Sequence, residues 1–221
     1  MKIGGISEMF KIIWLFSRFA LSLRCKPFKE YNIMKKILTL LFVSLICSVG
    51  YAQHLKFKGI PLEETLTDFV SQLKAKGFTY AGTEDGIALL QCEFAGYKNC
   101  IVGVATFSGT QNVCKVVSLF PEQETWAAVS KDYYSLKGLL TEKYGEPVSV
   151  EKFHREYVDS DSSKRHAILH GEADFVSTFT TEGGKIELTI KKADTLTLRI
   201  VLSYFDDENS SKVRQQIMDD L

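Results

Sequence analysis

Apolar positions follow two different periods along the chain beyond its first fifty residues. Over residues 62–73 and 126–144 they return every three or four positions, which is the period of a helix with one buried face. Gly77 and Gly145 follow these two segments and can end each helix in a left-handed conformation. We therefore predict two long helices, and a third, C-terminal helix near residues 210–221.

Between these helices, apolar residues alternate with polar ones or run together as segments rich in Val, Ile and Phe, as in strands. Short turn segments such as 95–98, 108–111 and 182–185 separate neighbouring strands. Such short connections favour antiparallel pairing, because parallel strands need a longer crossover. The predicted strands cover residues 54–59, 86–95, 98–107, 112–120, 148–158, 166–180, 185–192 and 195–206.

The order of these elements repeats along the chain. A helix followed by antiparallel strands occurs in residues 53–120 and again in residues 121–221, where the C-terminal helix follows. This order predicts an α+β fold of two tandem helix-plus-antiparallel-sheet units. At an offset of 85 residues, Val116–Phe120 falls on Val201–Phe205. Internal duplication is one interpretation of that match, and the shared composition of sheet strands is the other.

Residues 34–52 have the three parts of a secretory signal peptide. A short cationic start is followed by the apolar run from Ile37 to Val49. Small residues lie three positions and one position before a cleavage position that follows Ala52. We expect cleavage after Ala52, with cleavage after Gln53 as the alternative. The apolar run is shorter than the roughly 20 residues that span a bilayer, so we expect no stable membrane span after cleavage. The predicted location is periplasmic or secreted.

Residues 1–33 precede Met34, which has the position of a natural start for this signal. We interpret residues 1–33 as an upstream extension that results from the choice of gene start. The alternative is a second apolar helix over residues 12–23, which Arg18 interrupts.

The chain as a whole has 27 basic and 27 acidic side chains, but they are unevenly distributed. The first 52 residues hold eight basic and two acidic side chains, so residues 53–221 hold 19 and 25, a net charge of −6. Binding along nucleic-acid phosphates depends on a surplus of Lys and Arg, and so does attraction to anionic membrane surfaces. We therefore expect no nucleic-acid partner.

Cys92 and Cys100 flank the predicted turn at residues 95–98, and a three-residue loop would place them opposite each other. In an oxidising compartment they could then form a disulfide. The alternative is that both, together with Cys114, are buried thiols that act as small apolar residues. Tyr97 lies in the same turn, and an exposed aromatic side chain there would suit protein recognition.

His166, His170 and Glu172 form the candidate metal site. The segment alternates like a strand, and a period of two places all three residues on one face, as imidazole and carboxylate ligands for zinc or a similar ion. His154 is the alternative to Glu172 as the third ligand. The alternative is an ordinary solvent-exposed strand face. No glutamate lies beside the first histidine as it does in the helical metalloprotease motif.

Two acidic segments have local interpretations that need no ligand. Residues 159–162 predict a flexible polar loop, and residues 206–209 precede the terminal helix. We expect Asn209 or Ser210 to be the N-cap of that helix.

Four segments resemble an uncharacterised family of small exported proteins from gut-dwelling Gram-negative bacteria. They are residues 57–62, 69–78, 94–98 and 140–147. The resemblance spans most of residues 54–221 and implies export, since that family has no established activity. The tandem helix-plus-sheet order is also similar in outline to the β-lactamase-inhibitor-protein-like fold, which says little about function.

These features together predict an exported, non-catalytic binding or interaction module of the bacterial envelope. Its expected partner is an unidentified envelope protein or small ligand, and no cofactor is expected. The alternative is a metal-dependent enzyme that uses His166 and His170 with nearby carboxylates.

Overall fold

The computed structural model describes residues 54–106, 111–155 and 159–219. Its strands are β1 (Lys56–Phe57), β2 (Ile60–Pro61), β3 (Thr79–Glu84), β4 (Ile87–Phe94), β5 (Tyr97–Thr106), β6 (Val113–Leu119), β7 (Val148–Phe153), β8 (Ala173–Thr181), β9 (Gly184–Lys192) and β10 (Leu198–Asp206). Its helices are α1 (Leu66–Ala75), α2 (Trp126–Tyr144), α3 (Asp161–Leu169) and α4 (Asp207–Asp219). Among these helices, none combines the length and apolar character needed to cross a membrane.

Eight of the strands form one antiparallel sheet in the order β3-β4-β5-β6-β10-β9-β8-β7. The predicted α+β class with an antiparallel sheet is therefore confirmed. The strands of the two predicted units do not form separate sheets, because β6 and β10 pair at the centre with Ser118 opposite Leu202. Each unit contributes four consecutive strands, so the order of strands runs outward from this central pair towards both edges.

The hydrophobic core lies on one face of this sheet, beneath the helices. Alternate residues of the central strands, such as Leu90, Val102 and Leu202, are buried there in one continuous cluster. Helix α1 contributes Phe69 and α2 contributes Tyr133, both without exposed surface. Burying a large apolar side chain stabilises the fold by about 2 kcal/mol, so this cluster is the main source of stability.

The predicted ends of the two long helices follow from capping side chains and glycines. Thr65 accepts a hydrogen bond from the Asp68 N–H at 3.2 Å, so α1 begins at Leu66, four residues later than predicted. Gly77 has φ +90° just beyond α1, and Gly145 has φ +86° at the end of α2. Both glycines therefore end their helices as predicted.

Residues 161–169 form helix α3, and the predicted strand over this part of 166–180 is wrong. Ser160 and Ser163 each accept a hydrogen bond from the backbone N–H of the other at 3.1 Å, which is a reciprocal cap of the helix start. The Asp161 carboxylate also accepts hydrogen bonds from the first N–H groups of α2, at 3.2 Å from Trp126 and 2.6 Å from Ala127. The predicted flexible loop is thus a structured junction between two helix N-termini.

Two further elements differ from the sequence prediction. Strand β3 was not predicted, because its side chains are mostly exposed and a register shift between Tyr80 and Gly82 interrupts it. Helix α4 begins at Asp207, and the carboxylate that accepts the Asn209 N–H, at 2.9 Å, belongs to Asp206. The predicted N-cap at Asn209 or Ser210 is therefore wrong. Most of the predicted turn at 108–111 lies outside the described residues.

Replacing Gly184 with alanine should destabilise the sheet. Gly184 has φ +156°, and a Cβ atom there would lie 2.0 Å from the carbonyl oxygen of Phe205. Because that oxygen belongs to the backbone of a neighbouring strand, the strands must shift, and we expect the free energy of unfolding to fall by roughly 1–3 kcal/mol in urea denaturation.

The matched control is Gly138→Ala in α2, where a Cβ atom would have no neighbour within 4 Å. Alanine favours helix over glycine by about 1 kcal/mol, so this variant should gain stability. Equal stability of the two variants would contradict the close approach at Gly184.

Candidate functional site

An open cavity of about 740 Å³ lies where the β1–β2 hairpin, two turns of the sheet and the end of α2 meet. We call it the lysine cavity. Its lining comes from segments that are far apart in sequence, so the fold alone assembles it. The lining residues are His54, Leu55, Lys56, Lys58, Gly59, Phe94, Ala95, Lys143, Tyr144, Thr181, Glu182, Gly183 and Tyr204.

Two tight turns form part of the rim of the lysine cavity. Lys58 and Gly59 have φ values of +51° and +78°, and Ala95 and Gly96 have +52° and +84°. Paired positive φ values are typical of two-residue hairpin turns that match the twist of strands. Lys58 and Ala95 adopt this conformation without being glycines, which costs about 1 kcal/mol or more each and requires support from the surrounding fold.

Three lysines supply ammonium groups to the lining of the cavity. Lys56, Lys58 and Lys143 are exposed, and Glu182 is the one carboxylate among the lining residues. No ion pair joins these three lysines to any carboxylate within the described part of the chain. Their charges are therefore available to a ligand, although residues 53–221 are net acidic.

Aromatic rings hold two of these ammonium groups at the cavity. Lys58 Nζ lies 4.9 Å from the centre of the Phe94 ring, and Lys143 Nζ lies 4.9 Å from that of Tyr144. Cation–π contacts of this kind contribute about 0.5–1 kcal/mol at exposed sites. Unlike a carboxylate, the aromatic rings position the ammonium charge without neutralising it.

Tyr204 lies at the bottom of the cavity and is only 5% exposed. Its ring packs edge-on against Phe57, with 5.1 Å between the ring centres. Its hydroxyl forms no hydrogen bond with the residues that the structure describes. Burial, and next the proximity of Tyr144, raises the pKa of Tyr204, so the hydroxyl stays neutral and can donate a hydrogen bond.

The wall of the cavity beside His54 is held by a buried carboxylate, which we call the Asp206 latch. The Asp206 side chain has no exposed surface and accepts hydrogen bonds from the N–H groups of Leu55 and Asn209, each at 2.9 Å. His54 Nδ1 lies 3.1 Å from both oxygens of the same carboxylate. The latch therefore joins the segment before β1 to the first turn of α4.

Further carboxylates face the other nitrogen of the His54 ring. His54 Nε2 lies 3.0 Å from Glu208 and 3.4 Å from Glu63. A hydrogen bond that the Lys212 ammonium donates to Glu208 lowers the pKa of this carboxyl, which therefore stays ionised. Both nitrogens of the His54 ring therefore face carboxylates, and the ring belongs to the latch.

The predicted pair Cys92 and Cys100 lies directly opposite across the β4–β5 hairpin. Both residues, and Cys114, are thiols in this structure. Burial and then the neighbouring Cys100 raise the pKa of Cys92 to about 11, and burial raises the pKa of Cys100 and of Cys114 as well. Protonated thiols are poor nucleophiles, and the disulfide stays a prediction.

Tyr97 is more buried than the sequence suggested. It begins β5 after the turn at Ala95 and Gly96, and its ring packs edge-on against Phe120 with 5.2 Å between ring centres. Burial and the nearby Asp132 carboxylate raise the pKa of Tyr97 to about 12. It covers the edge of the core, and its role in recognition stays a prediction.

The two predicted metal-binding histidines come together, but on a helix rather than a strand. His166 lies in α3 and His170 caps its end, so their ring centres are 4.1 Å apart. Glu172 is ion-paired with Arg155, and the described residues contain no group of three or more His, Cys, Asp or Glu side chains placed to hold one ion. A site made of His166, His170 and Glu172 stays a prediction that this placement does not favour.

Sequence patterns did not reveal the lysine cavity. The alternation of Lys56 and Lys58 with the buried Leu55 and Phe57 indicates that the two lysines share the exposed side of this segment. Lys143, in contrast, lies in the last turn of α2, where a basic residue is explained by the helix dipole. Nothing in the sequence indicates that these segments meet.

Removing the Asp206 carboxylate should destabilise the fold. Asp206→Ala leaves the Leu55 and Asn209 N–H groups and the His54 ring without their acceptor, and losing one partner of a buried ionic contact costs about 3–5 kcal/mol. Urea denaturation measures this loss. Asp174→Ala is the control, because that carboxylate is exposed and lies 2.8 Å from His154 Nε2, so its removal should change stability little. If both variants lose the same stability, the latch is not a major contact.

Comparison of the chain with protein-family models, with curated proteins and with solved structures finds no match.

Proposed function

We propose that this protein is an exported, non-catalytic binding module of the bacterial envelope, and that it takes a small amphiphilic anion into the lysine cavity. One observation carries the proposal. Three lysines without carboxylate partners among the described residues line the same cavity as the aromatic side chains of Phe94, Tyr144 and Tyr204. A ligand with an anionic group and an apolar body satisfies both features.

The anionic group belongs at the lysines. Lys56, Lys58 and Lys143 are exposed in the cavity and pair with no carboxylate among the described residues, so they can bind an anion although residues 53–221 carry a net charge of −6. The neutral Tyr204 hydroxyl can donate a hydrogen bond to the same group. A carboxylate, a sulfonate or a phosphate has the required acceptors.

The apolar body belongs against the aromatic floor. Phe94, Tyr144 and Tyr204 contribute rings to the cavity, and Phe57 supports them from below with a stacked contact to Phe94 at 5.6 Å. A volume of about 740 Å³ suits one small molecule. The ligand therefore combines a short anionic group with a ring or a branched hydrocarbon.

Binding without catalysis is supported by the state of the reactive groups. His54, the histidine among the lining residues, has both ring nitrogens within 3.4 Å of carboxylates of the latch. The described thiols have raised pKa values, as given above for Cys92 and Cys100. General base catalysis needs a basic side chain within reach of the substrate, and thiolate attack needs a thiol whose pKa is lowered.

The origin of the two units by duplication is also part of our proposal. The register of β5 with β6 places Ile101 opposite Leu119, and the register of β9 with β10 places Ile186 opposite Tyr204. The second pair is the first pair moved by 85 residues, the offset at which the sequences match. This agreement supports a common ancestor for the two pairs of strands.

Ligand binding can be tested with two fluorescent probes that share an apolar body. The anionic 8-anilinonaphthalene-1-sulfonate should bind more tightly than the uncharged N-phenyl-1-naphthylamine, because only the sulfonate uses the lysines. Lys56→Gln and Lys143→Gln should each weaken binding of the anionic probe by about 3- to 10-fold and leave the neutral probe unchanged.

The matched control is Lys131→Gln, which removes an exposed lysine from the same helix as Lys143 but outside the cavity. It should bind both probes as the parent protein does. Equal affinity for the two probes, or equal effects of Lys131→Gln and Lys143→Gln, would overturn the proposed ligand class.

Export can be tested by the N-terminus of the protein recovered from cells. Mass spectrometry of the protein from the envelope fraction should find a chain that begins at Gln53, or at His54 if cleavage follows Gln53. Recovery of a cytosolic chain that begins at Met34 or earlier would reject export while leaving the probe experiment intact.

A further inference from the structure

Strand β7 forms an edge of the sheet that is open to a further strand. It pairs with β8 through six consecutive residues without a shift, and no described strand pairs with its other side. Alternate backbone N–H and C=O groups of β7 therefore face outward, as a template for pairing. The opposite edge, β3, is protected by its register shift between Tyr80 and Gly82, since such irregularities disrupt further pairing.

Two of the three side chains that β7 places on the face of the sheet away from the helices are apolar. Val148 is 76% exposed and Val150 is 45% exposed, and Lys152 is the third side chain on this face. Val150 also ends a row of mainly apolar side chains that crosses this face through successive pairs. The row continues through Val176, Thr189, Val201, Leu119 and Ile101.

The other face of β7 is fastened to the helix layer. Ser149 Oγ lies 2.9 Å from Ser177 Oγ, which lies 2.7 Å from the buried Tyr133 hydroxyl of α2. Lys137 of the same helix donates a hydrogen bond to Glu151 at 2.5 Å. The edge is therefore held in its extended conformation before any partner arrives, which lowers the cost of binding.

We propose that a second copy of this chain pairs with β7, antiparallel to it, with the two-fold axis at Val150. In this register Val150 faces its own counterpart, Ser149 faces Glu151, and Val148 faces Lys152, so no like charges are opposed. The self-complementary pairing brings the Val150 side chains of the two copies into cross-strand contact and satisfies the outward backbone groups of both strands.

The two neighbouring registers are less favourable. A two-fold axis at Glu151 would place the two Glu151 carboxylates directly opposite each other, and like charges in such a pair are destabilising. An axis at Ser149 would keep only residues 148–150 of the strand paired with one another, and Glu151 would face Pro147, which has no N–H to donate. Pairing about Val150 joins residues 148–152 of both copies and opposes no like charges, and Phe153 would face Pro147 just beyond the start of the strand.

Sedimentation equilibrium of the purified protein over a broad concentration range tests this pairing. The parent protein should show a monomer–dimer equilibrium. Val150→Lys places two ammonium groups at the axis and should weaken dimerisation by about tenfold or more. Leu196→Lys is the matched control, because Leu196 is 65% exposed in the turn before β10, and it should leave the equilibrium unchanged. Circular dichroism establishes that both variants are folded.

Cross-linking tests the register. In Val150→Cys the new thiols of the two copies face each other at a distance that a disulfide can bridge, so mild oxidation should yield a covalent dimer. Val148→Cys, whose thiol faces Lys152 of the other copy, should cross-link much less. A monomer at all concentrations, a dimer that Val150→Lys leaves intact, or preferential cross-linking through Val148→Cys would each overturn the proposal.

Discussion

The buried carboxylate of Asp206 is the contact on which the arrangement of this protein depends most. It ends the central strand β10, accepts the N–H of Asn209 at the start of α4, and holds Leu55 and His54 of the segment before β1. A carboxylate without exposed surface is tolerated only when donors satisfy it, and here the donors come from both ends of the described chain. The β1–β2 hairpin is therefore fixed against the sheet, and the lysine cavity exists because that hairpin forms one of its walls.

Charge in this protein is organised locally rather than by its total. Residues 53–221 are net acidic, but the cavity collects three lysines and the latch collects three carboxylates around one histidine. In the latch, opposite charges satisfy one another and stabilise the fold. In the cavity, aromatic rings support the ammonium groups without neutralising them, so their charge remains available for binding.

The elements that were predicted well are those with one buried face. Helix α2 and strands β9 and β10 repeat apolar residues with the period of their own geometry, because every turn or every second residue contacts the core. Strand β3 has little buried surface and so left no such pattern. Residues 166–169 were predicted as part of a strand because so short an apolar pattern fits both periods. Helix α3, which contains them, depends on the Ser160 cap and on Asp161, which accepts N–H groups at the start of α2.

The sequence by itself determined the α+β class, the antiparallel pairing of neighbouring strands and the glycines that end α1 and α2, because these features follow from local periodicity and backbone conformation. The tertiary structure decided that the strands of both units join in one sheet, that Lys56, Lys58 and Lys143 meet around Tyr204, and that β7 lies at an edge. The physical reason is that such contacts form between segments far apart in the chain. Their energy depends on burial and distance in the folded state, and no local pattern of residues records either quantity.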